Sequence, residues 1–194
     1  MARIGMKHLV YAPITAEGTN SITYGTGVLA EHARRGAVTY NWAEGSLYGD
    51  DLLAEYAKEC RGADIEVEMT ELDAAVAVLL GLEKVKSGSG ATAVYTMKSE
   101  NQVRVGFGFI QTQVVNGTKL YRAFWFHKVS FTPGNEESAT KEDTIAWGSP
   151  TISGKCWTVD LDDSGEPQVR DFKDFTTEAA AAAWLDGLAN VPST

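Results

Sequence analysis

The stretch that decides the fold of this sequence is Val103-Arg-Val-Gly-Phe-Gly-Phe-Ile-Gln-Thr-Gln-Val-Val-Asn-Gly-Thr-Lys-Leu-Tyr-Arg-Ala-Phe-Trp-Phe-His-Lys-Val-Ser-Phe131. Asn116-Gly117 near its centre predicts a two-residue type I′ turn, because both residues tolerate a positive φ. Such a turn would pair Val115 with Thr118 and fix the register of a long hairpin. The hairpin is unusual because both of its faces are apolar.

The first face of this hairpin can supply a core, and it carries Val103, Val105, Phe107, Phe109, Leu120, Phe124 and Phe126. The second face carries Ile110, Val114, Tyr121, Trp125, Val129 and Phe131, with Trp125 and His127 across from Gly108 and Gly106. A second apolar face requires a helix, another sheet or another copy of the chain to cover it. We expect other copies, and the candidate inter-subunit residues are Ile110, Tyr121, Trp125 and Val129.

The length of 194 residues suits one domain over 1–194, which would bury about 70% of the surface of the unfolded chain. A flexible connector is expected near 86–91 and an exposed loop near 132–143. The two cysteines lack a pairing or metal-binding spacing, so a reducing compartment is expected. No apolar run approaches the length of a membrane span, and the N-terminus lacks the apolar core of a signal peptide. We therefore expect a soluble protein made in the cytoplasm.

The charge balance is acidic, with 26 acidic and 17 basic residues and a net charge of -9. This balance argues against nucleic-acid binding through phosphate neutralisation. It remains compatible with DNA passing close by without adhering.

An acidic segment precedes the middle of the chain. Residues 52–60 fit either a helix or a strand, whereas 64–69 alternate strictly. A turn at Gly62-Ala63 would pair the two stretches and place Glu55, Glu59, Glu66 and Glu68 on one face, with Glu59 opposite Glu66. This face is either the wet side of an amphipathic hairpin or a functional acidic surface.

Two helices are predicted. Residues 45–51, which precede both helices, are expected to form a loop. The first spans 70–81, with Thr70 as N-cap and Gly81 as C-cap. The second begins at Thr176 or Thr177 and ends at Leu188. Its apolar side carries Ala181, Trp184, Leu185 and Leu188.

Motifs that would indicate an enzyme are incomplete. The segment 148–156 resembles a phosphate-binding loop, but it has one residue too many between its glycines and Cys156 replaces the magnesium-binding hydroxyl. The glycines at 106 and 108 lie within a strand and lack the third glycine of a dinucleotide fingerprint. The histidines His8, His32 and His127 are scattered singly. We expect no enzyme activity, no cofactor and no metal site.

Four segments, taken in order, resemble the major tail protein family of long-tailed bacteriophages. They are Gly5-Met-Lys-His-Leu-Val-Tyr-Ala-Pro13, Leu47-Tyr-Gly-Asp-Asp51, Leu79-Leu-Gly-Leu82 and Tyr121-Arg-Ala-Phe-Trp-Phe-His-Lys-Val-Ser-Phe131. The resemblance spans roughly residues 4–192 and implies a mainly β fold with flanking helices (α+β), a β-sandwich or barrel of the tail-tube type. It carries no catalytic residue.

The resemblance also implies an assembly. Subunits would form hexameric rings that stack into the tail tube of the virion, the conduit for DNA ejection, after synthesis in the host cytoplasm. The implied partners are further copies of the chain and the tape measure, tail terminator and distal tail proteins. DNA would pass through the lumen without specific binding, and no membrane is involved.

Two site hypotheses follow from this assembly. The lumen-facing candidates are the acidic residues Glu55, Glu59, Glu66 and Glu68. The candidate ring-stacking loop, which presents large apolar groups, comprises Tyr40, Trp42, Leu47, Tyr48, Asp50 and Asp51. The alternative function is a β-sandwich that binds carbohydrate or another ligand through Tyr40, Trp42 and Tyr48. An acid/base hydrolase ranks third.

Overall fold

The computed structural model of the chain describes residues 2–31, 33–49, 52–97, 103–134, 149–161 and 165–192. The strands are β1 (Ala2–Glu17), β2 (Ile22–Tyr24), β3 (Val28–Ala30), β4 (Ala33–Gly49), β5 (Leu52–Met69), β6 (Lys84–Ser87), β7 (Val94–Thr96), β8 (Val105–Val115), β9 (Thr118–Pro133), β10 (Thr151–Trp157) and β11 (Arg170–Phe175). The α-helices are α1 (Ala74–Leu79) and α2 (Glu178–Ala189), and a 3-10 helix spans Gly90–Thr92. The predicted mainly β class with flanking helices is confirmed.

One large antiparallel sheet organises the described chain. Its strand order is β2-β1-β8-β9-β10-β5-β4, with β3 beside β1 and β11 beside β9, while β6 and β7 pair separately. The predicted hairpin is β8–β9. Val115 pairs with Thr118 as expected, and the turn residues Asn116 and Gly117 have φ of 49° and 79°.

A bulge in β9 changes the register beyond the middle of this hairpin. Phe107 pairs with Phe126, but Val105 pairs with Val129, so β9 holds one extra residue between these pairs. The extra residue moves Val129 and Phe131 onto the face of Phe107, where the rings of Phe131 and Phe107 meet edge to face at 5.4 Å. The prediction that Val129 and Phe131 lie on the second face is therefore wrong.

The inner face of the sheet encloses the larger core. Buried side chains from β1, β5, β8, β9 and β10 meet there, and α1 closes one side with Val76 and with Leu80 at its C-cap. The sheet curls until β1 approaches β4, and Met6 packs directly on the bare backbone of Gly36. No strand pairing joins β1 to β4 within the described ranges, so this seam is closed by side chains alone.

The outer face of β1, β8 and β9 is covered by α2 of the same chain. Ile110 and Trp125 are 0% and 1% exposed and pack with Ala181, Leu185 and Ala189 of this helix. Tyr121 lies half-buried at the edge of this cluster. Our prediction that another copy covers this face is therefore wrong, because the apolar side of the terminal helix and the second face of the hairpin cover each other.

Polar contacts hold α2 on the sheet. Lys7 Nζ lies 3.1 Å from a carboxylate oxygen of Glu178, and His8 Nε2 lies 2.8 Å from Oδ1 of Asp186. Thr177, one of the two predicted starts of this helix, caps the first turn by accepting a hydrogen bond from the amide of Ala180.

The segment around Gly62 differs from our prediction. Residues 52–69 form one strand of 18 residues instead of two strands and a turn. Gly62 has φ of 142° at a bulge opposite Asn41 and Trp42, and a Cβ at this position would collide with the carbonyl oxygen of Cys156. The glycine is therefore required by the close approach of β10 and the bulge, not by a turn.

Several predicted boundaries also shift. The helix predicted over 70–81 begins after Asp73, whose carboxylate accepts the amide of Ala75 at 2.7 Å, and its C-cap is Leu80. The predicted connector at 86–91 overlaps β6 and the 3-10 helix, and the predicted loop at 45–51 is strand through Gly49. Of the loop predicted at 132–143, residues 132 and 133 belong to β9, and 135–143 lie outside the described residues.

Candidate functional site

The most distinctive surface is a two-stranded arm, which we define as residues 42–49 of β4 and 52–60 of β5. The pairing of β10 with β5 ends at Gly62, so beyond this residue the two strands of the arm pair only with each other. Among the arm side chains that the structure describes, all are exposed except Ala43 and Cys60, which are half-buried. The arm therefore exposes both faces.

One face of the arm is aromatic. The register places Trp42, Tyr48 and Tyr56 on it, and Tyr48 is 68% exposed. Lys58 lies on the same face, with its Nζ 5.0 Å from the ring centre of Trp42 and within ion-pair distance of Glu44. Large exposed rings on a surface that a monomer leaves uncovered are typical of interaction sites.

The other face of the arm is acidic. Leu47, Glu55 and Glu59 share it, and Leu47 is 61% exposed. Beyond Gly62, β5 pairs with β10 as well as with β4. The bulge at Gly62 adds one residue to β5, so Glu66 and Glu68 lie on the same face as Glu55 and Glu59. Glu59 pairs with Ala43 and Glu66 with Ala37, so the predicted opposition of Glu59 and Glu66 is wrong.

The remaining residues of the predicted stacking loop divide into two groups. Asp50 and Asp51 lie outside the described residues. Tyr40 is half-buried at the base of the arm, where the guanidinium of Arg170 lies 5.5 Å from its ring centre. Only Trp42, Leu47 and Tyr48 of this set are therefore placed on the exposed arm.

A cleft of about 510 Å³ lies at the seam between β1 and β4. Its apolar lining includes Phe109, Phe124 and Phe126, and its charged lining consists of Arg34, Arg35 and Arg170. Our reasoning from sequence missed this site. The available signal was the pair Arg34-Arg35, two adjacent cations in a chain of net charge -9.

A second concavity of about 530 Å³ lies on the outer side of β4, β5 and β10. Its polar lining includes Thr39, Asp64, Glu66, Ser153 and Lys155, and Trp157 lies at its side. Neither of these two cavities is lined by Trp42 or Tyr48 of the arm.

His127 and Cys156 are among the buried groups with perturbed protonation. Burial lowers the pKa of His127, and this effect is opposed by Asp171, whose Oδ1 lies 3.6 Å from Nε2. Burial raises the pKa of the Cys156 thiol to about 12, so this cysteine stays protonated and unreactive at neutral pH. Neither group lines either cavity.

The described residues contain no cluster of three or more His, Cys, Asp or Glu side chains that could hold a metal ion. Within the same ranges, no helix has the length and apolar character needed to cross a bilayer.

No model of a protein family matches the sequence. No curated protein gives a significant match to it either.

Proposed function

We propose that this chain is a structural subunit of a phage tail tube, which assembles through its arm into stacked hexameric rings. The proposal joins the sequence resemblance to one structural observation. A long two-stranded arm leaves Trp42, Tyr48 and Leu47 exposed with no part of the described chain to cover them. A neighbouring subunit in an adjacent ring would cover these side chains and bury apolar area at the contact.

The acidic face supports the second part of this proposal. Glu55, Glu59 and Glu66 lie on one exposed side of a continuous strand, in a chain of net charge -9. Carboxylates around a tube lumen would repel DNA phosphates and prevent adhesion during ejection. The subunit would therefore belong to the virion tail, and its further partners would be the tape measure, tail terminator and distal tail proteins.

The test is negative-stain electron microscopy of the purified, concentrated protein. We expect rings or tubes from the unmodified chain, and loss of stacking in the double variant Trp42→Ala with Tyr48→Ala. The matched control changes two exposed aromatics outside the arm, Tyr95→Ala with Trp157→Ala, and should assemble as the unmodified chain does. Normal stacking of the arm variant would exclude the arm as the stacking contact.

The lumen assignment needs a separate test. We expect a reconstruction of the assembled tube to place the acidic face of the arm and of β5 towards the lumen. A map in which Glu55, Glu59 and Glu66 face the outside of the tube would remove this assignment and leave the stacking contact untouched.

The competing function is ligand binding by exposed aromatic side chains. Trp42 and Tyr48 share a face of the arm and could stack on a sugar ring. Calorimetric titration with glycans measures this directly. Binding that is lost in the Trp42→Ala and Tyr48→Ala variant, by a protein that remains monomeric, would favour the ligand-binding function over the tail tube.

A further inference from the structure

The cleft at the seam between β1 and β4 contains three arginines, of which one forms an ion pair with a described carboxylate. Arg34 Nη1 lies 3.2 Å from Oε1 of Glu68. Neither Arg35 nor Arg170 has an ion pair with any carboxylate among the described residues. Two of the three cations of the cleft therefore form no ion pair within that part of the chain, although Glu68 is the cross-strand neighbour of Arg35.

Arg170 is held in place by aromatic rings instead of by an acid. Its guanidinium carbon lies 4.6 Å from the ring centre of Phe124 and 5.3 Å from that of Phe172. Its Nη1 is buried and has no hydrogen-bond partner within the described ranges. The stacking keeps the positive charge of Arg170 in the cleft wall.

The arm presents the complementary charge. Glu55 and Glu59 are exposed on its acidic face, on either side of Ala57. Neither carboxylate makes an ion pair with a described residue of its own chain. The arm and the cleft are thus two surfaces of opposite sign, each left without a partner in the described monomer.

We propose that the seam cleft is the receptor for the acidic face of the arm of a second copy of this chain, with Arg35 pairing with Glu59. This contact rests on the proposed function, because it specifies where the arm of one subunit lies on its neighbour. The planar guanidinium of Arg35 can donate two hydrogen bonds to the carboxylate of Glu59. Arg170 is a second fixed positive charge that attracts the acidic face of the arm. The apolar lining of the cleft accepts Leu47, which shares the acidic face.

The first test traps the contact with a pair of engineered cysteines. It leaves Arg35, Arg170, Glu55 and Glu59 unchanged. One chain carries Ala57→Cys and the other Ala37→Cys, which lies in the cleft lining, and both carry Cys60→Ser to remove the neighbouring thiol. We expect mild oxidation of the mixture to link the two chains. The matched control replaces Ala37→Cys by Ala91→Cys, an exposed alanine in the 3-10 helix. Its yield should be about ten-fold lower.

The second test asks whether the contact depends on charge. Adding Arg35→Glu to the Ala37→Cys chain should lower the yield of the link roughly ten-fold, because two carboxylates then face each other. Adding Glu59→Arg to the Ala57→Cys chain should restore it. Restoration would also show that the Arg35→Glu chain is folded.

The outcomes separate this contact from the proposed function. A yield equal to that of the Ala91→Cys control, or a yield that Arg35→Glu does not change, overturns the pairing of arm and cleft. Rings or tubes formed by the unmodified chain would then still support the tail-tube function with a different receptor. Absence of the link between the cysteine chains, together with absence of rings or tubes from the unmodified chain, overturns both.

Discussion

Replacing Leu185 by Ala tests whether α2 covers the outer face of the sheet within one chain. Leu185 is 0% exposed and lies against Trp125, and its Cδ2 would be only 2.8 Å from a Cβ on Gly108. Leu-to-Ala changes at such sites cost about 2–5 kcal/mol, through lost transfer free energy and the cavity left behind. We expect about 3 kcal/mol, near the middle of this range, because the sheet below the helix cannot collapse into the space.

Urea unfolding followed by tryptophan fluorescence measures this change, with the midpoint falling and the slope unchanged. A loss of about 3 kcal/mol corresponds to a Tm decrease of roughly 6–12 °C for a chain of this size. The matched control is Leu47→Ala, at a side chain 61% exposed on the arm, which should change stability by less than about 0.5 kcal/mol. A cost below about 1 kcal/mol for Leu185→Ala would refute the described docking of α2.

Three further predictions concern stability. Burial lowers the pKa of His127 in the folded state from its ordinary value of 6.5, so below about pH 6.5 the unfolded state binds more protons than the folded state. The unfolding free energy should therefore fall as the pH decreases below about 6.5. The difference between the urea midpoints at pH 7.5 and pH 5.5 should be smaller in His127→Gln than in the unmodified protein. Gly106→Ala should cost about 1–3 kcal/mol in urea unfolding, because a Cβ would clash with Trp125 and lie 2.7 Å from the ring of Tyr24. Gly117→Ala should cost about 1–2 kcal/mol in the same assay, because alanine at φ of 79° is strained.

Each of these predictions has a contradicting result. Identical pH dependence in His127→Gln and the unmodified protein would assign the titration to another group. Unchanged stability of Gly106→Ala would mean that the rings of Trp125 and Tyr24 do not rest on the backbone of β8. Unchanged stability of Gly117→Ala would argue against the type I′ turn, and Gly45→Ala, at an exposed strand position with open space around it, gives the baseline for a Gly-to-Ala change.

Local sequence signals predicted the parts of the fold that depend on neighbouring residues. Asn116-Gly117 predicted the turn and the pairing of Val115 with Thr118, and the last helix was predicted to begin at Thr176 or Thr177, of which Thr177 is the N-cap. Both signals act through backbone dihedrals or capping within a few residues. The predicted register of the β8–β9 hairpin is wrong only beyond Phe126, where a bulge shifts β9 by one position. No residue type in this segment indicates the bulge.

Long-range matches could not be derived from the sequence in the same way. The apolar side of α2 and the second face of the hairpin were both recognised, but periodicity does not say which surfaces meet. Gly62 was interpreted as a turn because glycine favours turns, whereas it accommodates the carbonyl oxygen of Cys156. The cleft depends on three arginines from β4 and β11 that become neighbours only when the sheet curls.

The bulge at Gly62 divides β5 into two regions of unequal protection. Residues 62–68 have hydrogen-bonded neighbours on both sides, whereas residues 52–60 have one neighbour. Amide exchange in the first region should require opening of the whole sheet, while the second region can open by itself. The arm is therefore an independently melting unit joined to a rigid base, and its order should increase when another surface covers it. If a second copy covers the arm as we propose, the last step of folding should take place during that association.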